Sequence, residues 1–221
     1  SQENITPCLH NLYQNTAYAN FEVIVVTNSA LAAHIENSFD FLHLTCVRYD
    51  QPFNFSLKCN LGAKQAQGAF LLFMNDDVEP LTSDWLEAML EYAQQPEIGG
   101  VSPKLLYEDN TIQYAGMVTN VRDYVGTFAH HWSQYETRFN NLALSTRDVS
   151  VLTGACLMIK TLIFWEIGGW DDENTPIANS DLSISFEIRD RGLRLVYTPF
   201  AELRHIGHKS IGEQEQDRQD D

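Results

Sequence analysis

An α/β fold with a doubly wound, mainly parallel sheet flanked by helices is what the sequence predicts, and three observations predict it. Short apolar and β-branched runs alternate with helix-patterned segments along the chain, the order in which βαβ units are built. Six apolar residues, Ala69 to Met74, follow Gly68 without interruption, as a strand buried on both faces of a parallel sheet does. At 221 residues and 44% hydrophobic composition the chain can bury one sizeable core, so a single domain over residues 1–212 is expected.

The elements follow in order. Leu9, Leu12 and Tyr13 give a helical pattern around Cys8 to Asn15, and Phe21 to Val26 is a β-branched strand closed by Thr27-Asn28-Ser29. Ala30 to Phe39 reads as a second helix and Leu42 to Val47 as a second strand. Helix formers fill Ser56 to Gln67, with Gly68 as the expected C-cap before the Ala69 to Met74 strand. Ser83 to Gln95 is an amphipathic helix with Trp85, Leu86, Met89, Leu90 and Ala93 inward. Val101 to Tyr107 and Gly116 to Val121 read as strands, and Arg122 to Asp148 as a long irregular segment with His130-His131-Trp132 and Tyr135 in it. Loops of that length bind or move. Val149 to Lys160 reads as a strand interrupted at Gly154, Leu162 to Gly168 as a short helix, and Leu195 to Leu203 as a last strand.

A net charge of -16 argues against nucleic acid or an anionic membrane as partner, since both demand clustered Lys and Arg. Phosphate bound by so acidic a chain is expected to arrive with a metal. Residues 213–221 hold five acidic residues, one Arg and no apolar residue, the composition of a disordered tail or linker. Cys8, Cys46, Cys59 and Cys156 have no C-x-x-C spacing and are expected as reduced thiols. No apolar run reaches the ~18 residues of a membrane helix. The expected location is cytoplasmic, with further domains of a longer chain or partners able to hold it at the inner face of the membrane.

The Ala69 to Met74 strand runs into Asn75-Asp76-Asp77. In open α/β sheets ligands bind beyond the carboxyl ends of strands, so adjacent carboxylates there are candidates to hold Mg²⁺ or Mn²⁺. The same triplet, followed by Glu79-Pro80, is also ordinary turn chemistry. Other segments decide between the two. Asn54-Phe55-Ser56, Asn60-Leu61-Gly62-Ala63, Asp84-Trp85-Leu86, Gly154 to Ile159, Gly168-Gly169-Trp170-Asp171, Ser180-Asp181, and Tyr197 to Leu203 with His205 stand in a fixed order. Together they resemble a family 2 glycosyltransferase of the GT-A type, with rhamnosyltransferase-like members the most similar.

The resemblance implies transfer of a sugar from a nucleotide diphosphate donor to a hydroxyl of a glycan or lipid-linked acceptor, in polysaccharide or cell-surface glycan synthesis. It implies Asp77 and His205 as metal ligands, Asp76 near the donor's ribose or sugar, and donor contacts from Asn60, Thr27 and Asn28. It also implies Asp181 as the base in a single displacement with inversion. A base is needed because an acceptor hydroxyl is a poor nucleophile until its proton leaves. Asp181 opens a helical pattern, where N–H groups and the helix dipole would also favour a carboxylate. Such contacts lower a pKa, so a compensating environment is expected. His208 and Lys209 are weaker phosphate candidates. Trp132, Tyr135, His130 and His131 are candidates for an acceptor lid, and Trp170 and Asp171 match a stretch on the acceptor side of relatives.

The chain departs from the family at four places. The first strand has no counterpart before Ser1, Thr27 stands where relatives carry a base-binding Asp, Asn75 replaces a first Asp, and Ser183 replaces a second acidic residue beyond Asp181. These departures motivate the alternative of a catalytically inactive, glycosyltransferase-like binding or scaffolding module. A sugar nucleotidyltransferase would need a Gly-rich, Arg-containing phosphate loop, and none is visible.

Overall fold

A computed structural model describes residues 2–41, 43–121 and 124–206. The tail at 213–221, and His208 and Lys209, lie outside the described residues. Alternating helices and strands open the chain: α1 (Gln2–Gln14), β1 (Val23–Thr27), α2 (Ser29–Ser38), β2 (Leu44–Arg48), α3 (Phe55–Ala63) and β3 (Phe70–Met74). Then follow β4 (Val78–Pro80), α4 (Trp85–Ala93), β5 (Ile98–Leu106), β6 (Ile112–Tyr114), β7 (Met117–Val121) and β8 (Tyr124–Thr127). A single irregular turn, α5 (Arg138–Asn141), leads to β9 (Arg147–Asp148), β10 (Cys156–Lys160), α6 (Thr161–Glu166), α7 (Ser180–Asp190) and β11 (Arg194–His205). No helix among the described residues is long and apolar enough to cross a membrane.

The central sheet runs β3-β10-β5-β11-β4, with β6 on β5 and β9 on β11. Because β3 and β5 both pair antiparallel with β10, and β11 pairs parallel with β5, the strands β3, β5 and β11 share one direction. The sheet is therefore mixed. β5, between β10 and β11, is buried along its whole length, as an interior strand covered on both faces must be. β3 differs from the doubly buried strand expected of it. It alternates buried and half-buried residues and takes antiparallel β10 as its neighbour.

β1 and β2 form a separate parallel pair. Among the described residues β1 and β3 each have one edge without a strand partner. The two sheets are nevertheless tied together. Gln67 and Gly68 donate their backbone N–H groups to the Glu22 carboxylate at 2.6 and 3.1 Å, and Val23 packs against both hydrophobic clusters. That tie explains why α3 ends at Ala63 rather than running to a Gly68 cap. The Gln67 and Gly68 N–H groups are directed to a side chain outside the helix, while Lys64 caps in a right-handed conformation.

Other boundaries shift for similar reasons. β5 starts three residues earlier than the pattern suggested, because Gly99 and Gly100 are buried where any Cβ would meet Ile188, Leu193 or Leu152. Of the Val149 to Lys160 run only Cys156–Lys160 is a strand. Val149, Ser150, Val151 and Leu152 instead bond to Leu195, Met117, Tyr114 and Ser185. The 122–148 segment contains the β8 hairpin strand as well as irregular chain. All four cysteines are free, with Cys8 and Cys156 buried.

Candidate active site

The Asn75-Asp76-Asp77 turn is fixed from two sides. The Asn75 N–H donates to Ala155 O at 3.0 Å, continuing the β3–β10 ladder, and the Val78 N–H closes the turn on Asn75 O at 3.3 Å. The chain then enters β4, which pairs with the end of β11 so that His205 faces Val78. β11 reaches that position through a register shift between Thr198 and Glu202, the kind of irregularity that redirects a strand near functional residues. The Ile206 N–H donates to Asp77 O at 3.0 Å. Two segments distant in sequence are thereby clamped together.

Their side chains meet. His205 Nε2 lies 3.1 Å from Asp77 Oδ1, with both side chains less than one-fifth exposed, and Asn75 Nδ2 is 3.5 Å from the same nitrogen. Burial pushes the Asp77 carboxyl upward, but the hydrogen bond from His205, together with electrostatic attraction and a backbone hydrogen bond, outweighs it and holds Asp77 below the usual carboxylate range. The other ring nitrogen, Nδ1, is 2.7 Å from Gln113 Oε1 on β6. Asp76 is half-buried in the same turn. Burial first, and then the charges of Asp76, Glu79 and Asp77, push the nearby Cys8 thiol up to about 12.

Asp181 packs against Gly154, next to the Ala155 whose carbonyl bonds this turn. A Cβ built on Gly154 would lie 3.7 Å from Asp181 Cβ, while the carbonyl of Ala155 accepts from Asn75. The helix carrying Asp181 is pinned by Ser185, whose Oγ accepts from the buried Leu152 N–H at 3.0 Å. Asp181 Oδ1 accepts from the Leu182 N–H at 2.9 Å. Burial raises the Asp181 carboxyl above its usual value, and backbone hydrogen bonds from Leu182, its own N–H and Gly154 offset this only in part. The compensating environment expected from the sequence is therefore desolvation.

Asn60 ties α3 to the loop that follows α6. Its Oδ1 accepts from the Trp170 N–H at 3.0 Å, and its Nδ2 donates to Trp170 O at 2.8 Å and Asp172 Oδ2 at 3.0 Å. With Asn54 Nδ2 donating to Asp172 O and Ser56 Oγ to Thr175 O, α3 latches the loop that precedes α7. Thr27 and Asn28 end β1 in the two-stranded sheet. Asn28 Oδ1 caps α2 by accepting from the Leu31 N–H, and the neighbouring Ser29 is held by Asp50. Asp50, at the carboxyl end of β2, is an acidic residue the sequence reading did not single out.

On the acceptor-lid residues the structure is specific. The Ile112 N–H donates to Trp132 O and Ile112 O accepts from the His131 N–H, so the aromatic loop is fastened to β6 beside Gln113. Trp132 stacks with Phe139 and carries Arg138 at 4.2 Å from its ring centroid. Tyr107 O–H pairs with His130 Nε2 at 2.8 Å, and its ring stacks on His131. Tyr135 is exposed, whereas Trp170 is a core residue packed edge-on against Phe55 and Phe73. Asp171, whose carboxyl caps its own turn at Glu173 and Asn174, lines a cleft of about 370 Å³ with Asn60, Asp172 and Glu187.

The residues fit a divalent cation of the kind that takes part of its coordination from a bound phosphate. A carboxylate oxygen and an imidazole nitrogen converge at Asp77 and His205. No group of three or more His, Cys, Asp or Glu that could hold a metal occurs among the described residues. Mg²⁺ and Mn²⁺ suit such sites, held by one or two protein ligands while substrate phosphates and water complete the shell.

The α/β domain thus brings a carboxylate and an imidazole together at strand ends. The family model described as glycosyl transferase family 2 matches residues 1–168, and the chain belongs to that family. It is 34% identical over 208 residues to the O-antigen biosynthesis protein RfbC of Myxococcus xanthus, covering 90% of this chain and 16% of that protein. It is likewise 34% identical over 214 residues to the uncharacterized protein y4gI of Sinorhizobium fredii, covering 94% of this chain and 23% of the relative. The chain thus spans less than a quarter of the length of these curated relatives. Among solved structures, GalNAc-T7 with UDP, GalNAc and Mn²⁺ superimposes at a TM-score of 0.73 and 14% identity, covering 95% of this chain and 42% of that one. The mannosyltransferase PcManGT of Pyrobaculum calidifontis, in complex with GDP-Man and Mn²⁺, gives 0.66 at 18% identity, covering 95% and 55%. These likenesses establish the glycosyltransferase fold.

Proposed function

We propose that this chain is the catalytic domain of a metal-dependent, inverting glycosyltransferase. It moves a sugar from a nucleotide diphosphate sugar to a hydroxyl of a glycan or lipid-linked acceptor during polysaccharide or cell-surface glycan synthesis. The observation that carries this reading is the half-buried Asp181, its carboxyl raised by desolvation, packed against Gly154 next to Ala155, whose carbonyl bonds the turn that holds Asp77 against His205. The O-antigen biosynthesis role in the name of the Myxococcus relative, and the nucleotide and Mn²⁺ bound by the structural neighbours, support it.

Asp77 and His205 would hold the cation, and the cation supplies Lewis-acid stabilisation of the charge that builds on the diphosphate as it leaves. Asp181 takes the proton of the acceptor hydroxyl. The freed oxygen forms the new bond to the anomeric carbon from the face opposite the diphosphate, whose carbon–oxygen bond breaks, so configuration inverts. A carboxylate with a raised pKa is a stronger base than an ordinary one, which is the tuning this step needs. The test is transfer from a nucleotide sugar by the wild type and by Asp181→Asn, with the anomer of the product determined by NMR. Inverted product that disappears in Asp181→Asn supports the proposal. Transfer undiminished in the variant removes Asp181 from the mechanism.

A further inference from the structure

We propose that Gln113 is a positioning residue that fixes which ring nitrogen of His205 carries the proton, and so makes His205 competent as a cation ligand. The inference rests on the reading of Asp77 and His205 as ligands. Their facing atoms are His205 Nε2 and Asp77 Oδ1, 3.1 Å apart. In its hydrogen bond to the Asp77 carboxylate Nε2 carries a proton; for Nε2 to offer its lone pair to a cation instead, the imidazole must keep its proton on Nδ1, and a proton there needs an acceptor. Gln113 Oε1, 2.7 Å from Nδ1, is that acceptor. Outer groups of this kind orient ligand imidazoles and raise their basicity.

Gln113 is placed to do this rigidly. Its neighbours Ile112 and Tyr114 are buried, 0% and 2% exposed, and strand alternation turns Gln113 away from them. β6 is held on one side by its ladder to β5. Elsewhere it is fastened by the Tyr114 O–H donating to Val151 O and by the Ile112 backbone bonds to residues 131 and 132. A side chain on so constrained a strand presents its amide oxygen at one place. The same strand carries the aromatic loop, so the ligand end of the site and that loop share one support.

The test measures Mn²⁺ binding by the EPR signal of the free ion, with Mn²⁺ titrated alone and in the presence of UDP and of GDP. Wild type, Gln113→Leu, Gln113→Met, Gln113→Glu, His205→Ala and the double variant Gln113→Leu/His205→Ala are compared, with folding checked by circular dichroism. We expect Gln113→Leu and Gln113→Met to weaken Mn²⁺ binding by about 10- to 100-fold. Gln113→Glu, which still accepts from Nδ1, should bind within a few-fold of wild type. In the His205→Ala background Gln113→Leu should add nothing. Wild-type affinity in both apolar variants, no rescue by Gln113→Glu, or an undiminished effect of Gln113→Leu without His205, each overturns the proposal for Gln113. Unchanged Mn²⁺ binding in His205→Ala itself overturns the ligand reading beneath it, which separates the two failures.

Discussion

Asp181 concentrates the residue-scale argument, because a carboxylate kept ionised in a desolvated setting serves catalysis at the expense of stability. Burial raises its pKa in the folded chain, so the folded state binds a proton more readily than the unfolded one. The sign follows: the ionised carboxyl costs stability at neutral pH, and the cost fades as pH falls through the raised folded-state value. Asp181→Asn should therefore lower the transfer rate by at least about 100-fold while raising the melting temperature at pH 7, read by a coupled assay and by calorimetry. The acid limb of the wild-type pH–rate profile should lie above the ordinary aspartate value of about 3.9. Asp77 has the opposite sign. Its lowered pKa contributes stability above the unfolded value that is lost as pH falls through the folded one. Asp77→Ala should abolish metal-dependent nucleotide binding, measured by calorimetry.

Some of the site was legible at this scale and some was not. Asp77, His205 and Asp181 stand in segments whose order resembled a family, and the structure brings the first two into contact. Asn60 stood in such a segment too, yet its amide is committed to Trp170 and Asp172, because a buried amide takes whatever backbone partners the fold supplies. Gln113 went unnoticed. A polar residue between buried Ile112 and Tyr114 reads as the solvent face of a strand, and only the long-range pairing of β5 with both β6 and β11 reveals that His205 faces it.

At the scale of elements, the turn between α6 and α7 is where local conformation and the site meet. Gly168 and Gly169 both have positive φ, at +90° and +79°, a conformation that side chains enter only at a cost. Their surroundings differ. A Cβ on Gly169 would lie 2.7 Å from Asn60 Oδ1 and 3.3 Å from Phe164 Cζ, whereas one on Gly168 meets nothing within 4 Å. Gly169→Ala should therefore cost more than Gly168→Ala, about 3 against about 1 kcal/mol in urea unfolding. It should also lower activity by displacing the loop that Asn60 latches. Gly-Gly marked this turn in the sequence. The latch itself was invisible there, since its partners Asn60 and Trp170 lie more than a hundred residues apart.

For the whole molecule, the alternating pattern indicates the α/β class but neither the short strands β4, β6, β8 and β9 nor the pairing of the strands. β3 looked like an interior strand because its residues are uniformly apolar, yet it pairs with β10 in one direction and leaves its other edge without a strand among the described residues. Open edges of this kind invite pairing with another chain. At rising concentration the isolated 221-residue chain should self-associate, seen as a concentration-dependent increase in mass by sedimentation. Calorimetric titration of the folded chain with uridine, thymidine and guanosine diphosphates, each with and without Mn²⁺, decides whether the chain carries a metal-dependent donor site. One of them should bind, and only with the metal present. Binding by none, or binding indifferent to Mn²⁺, would contradict it.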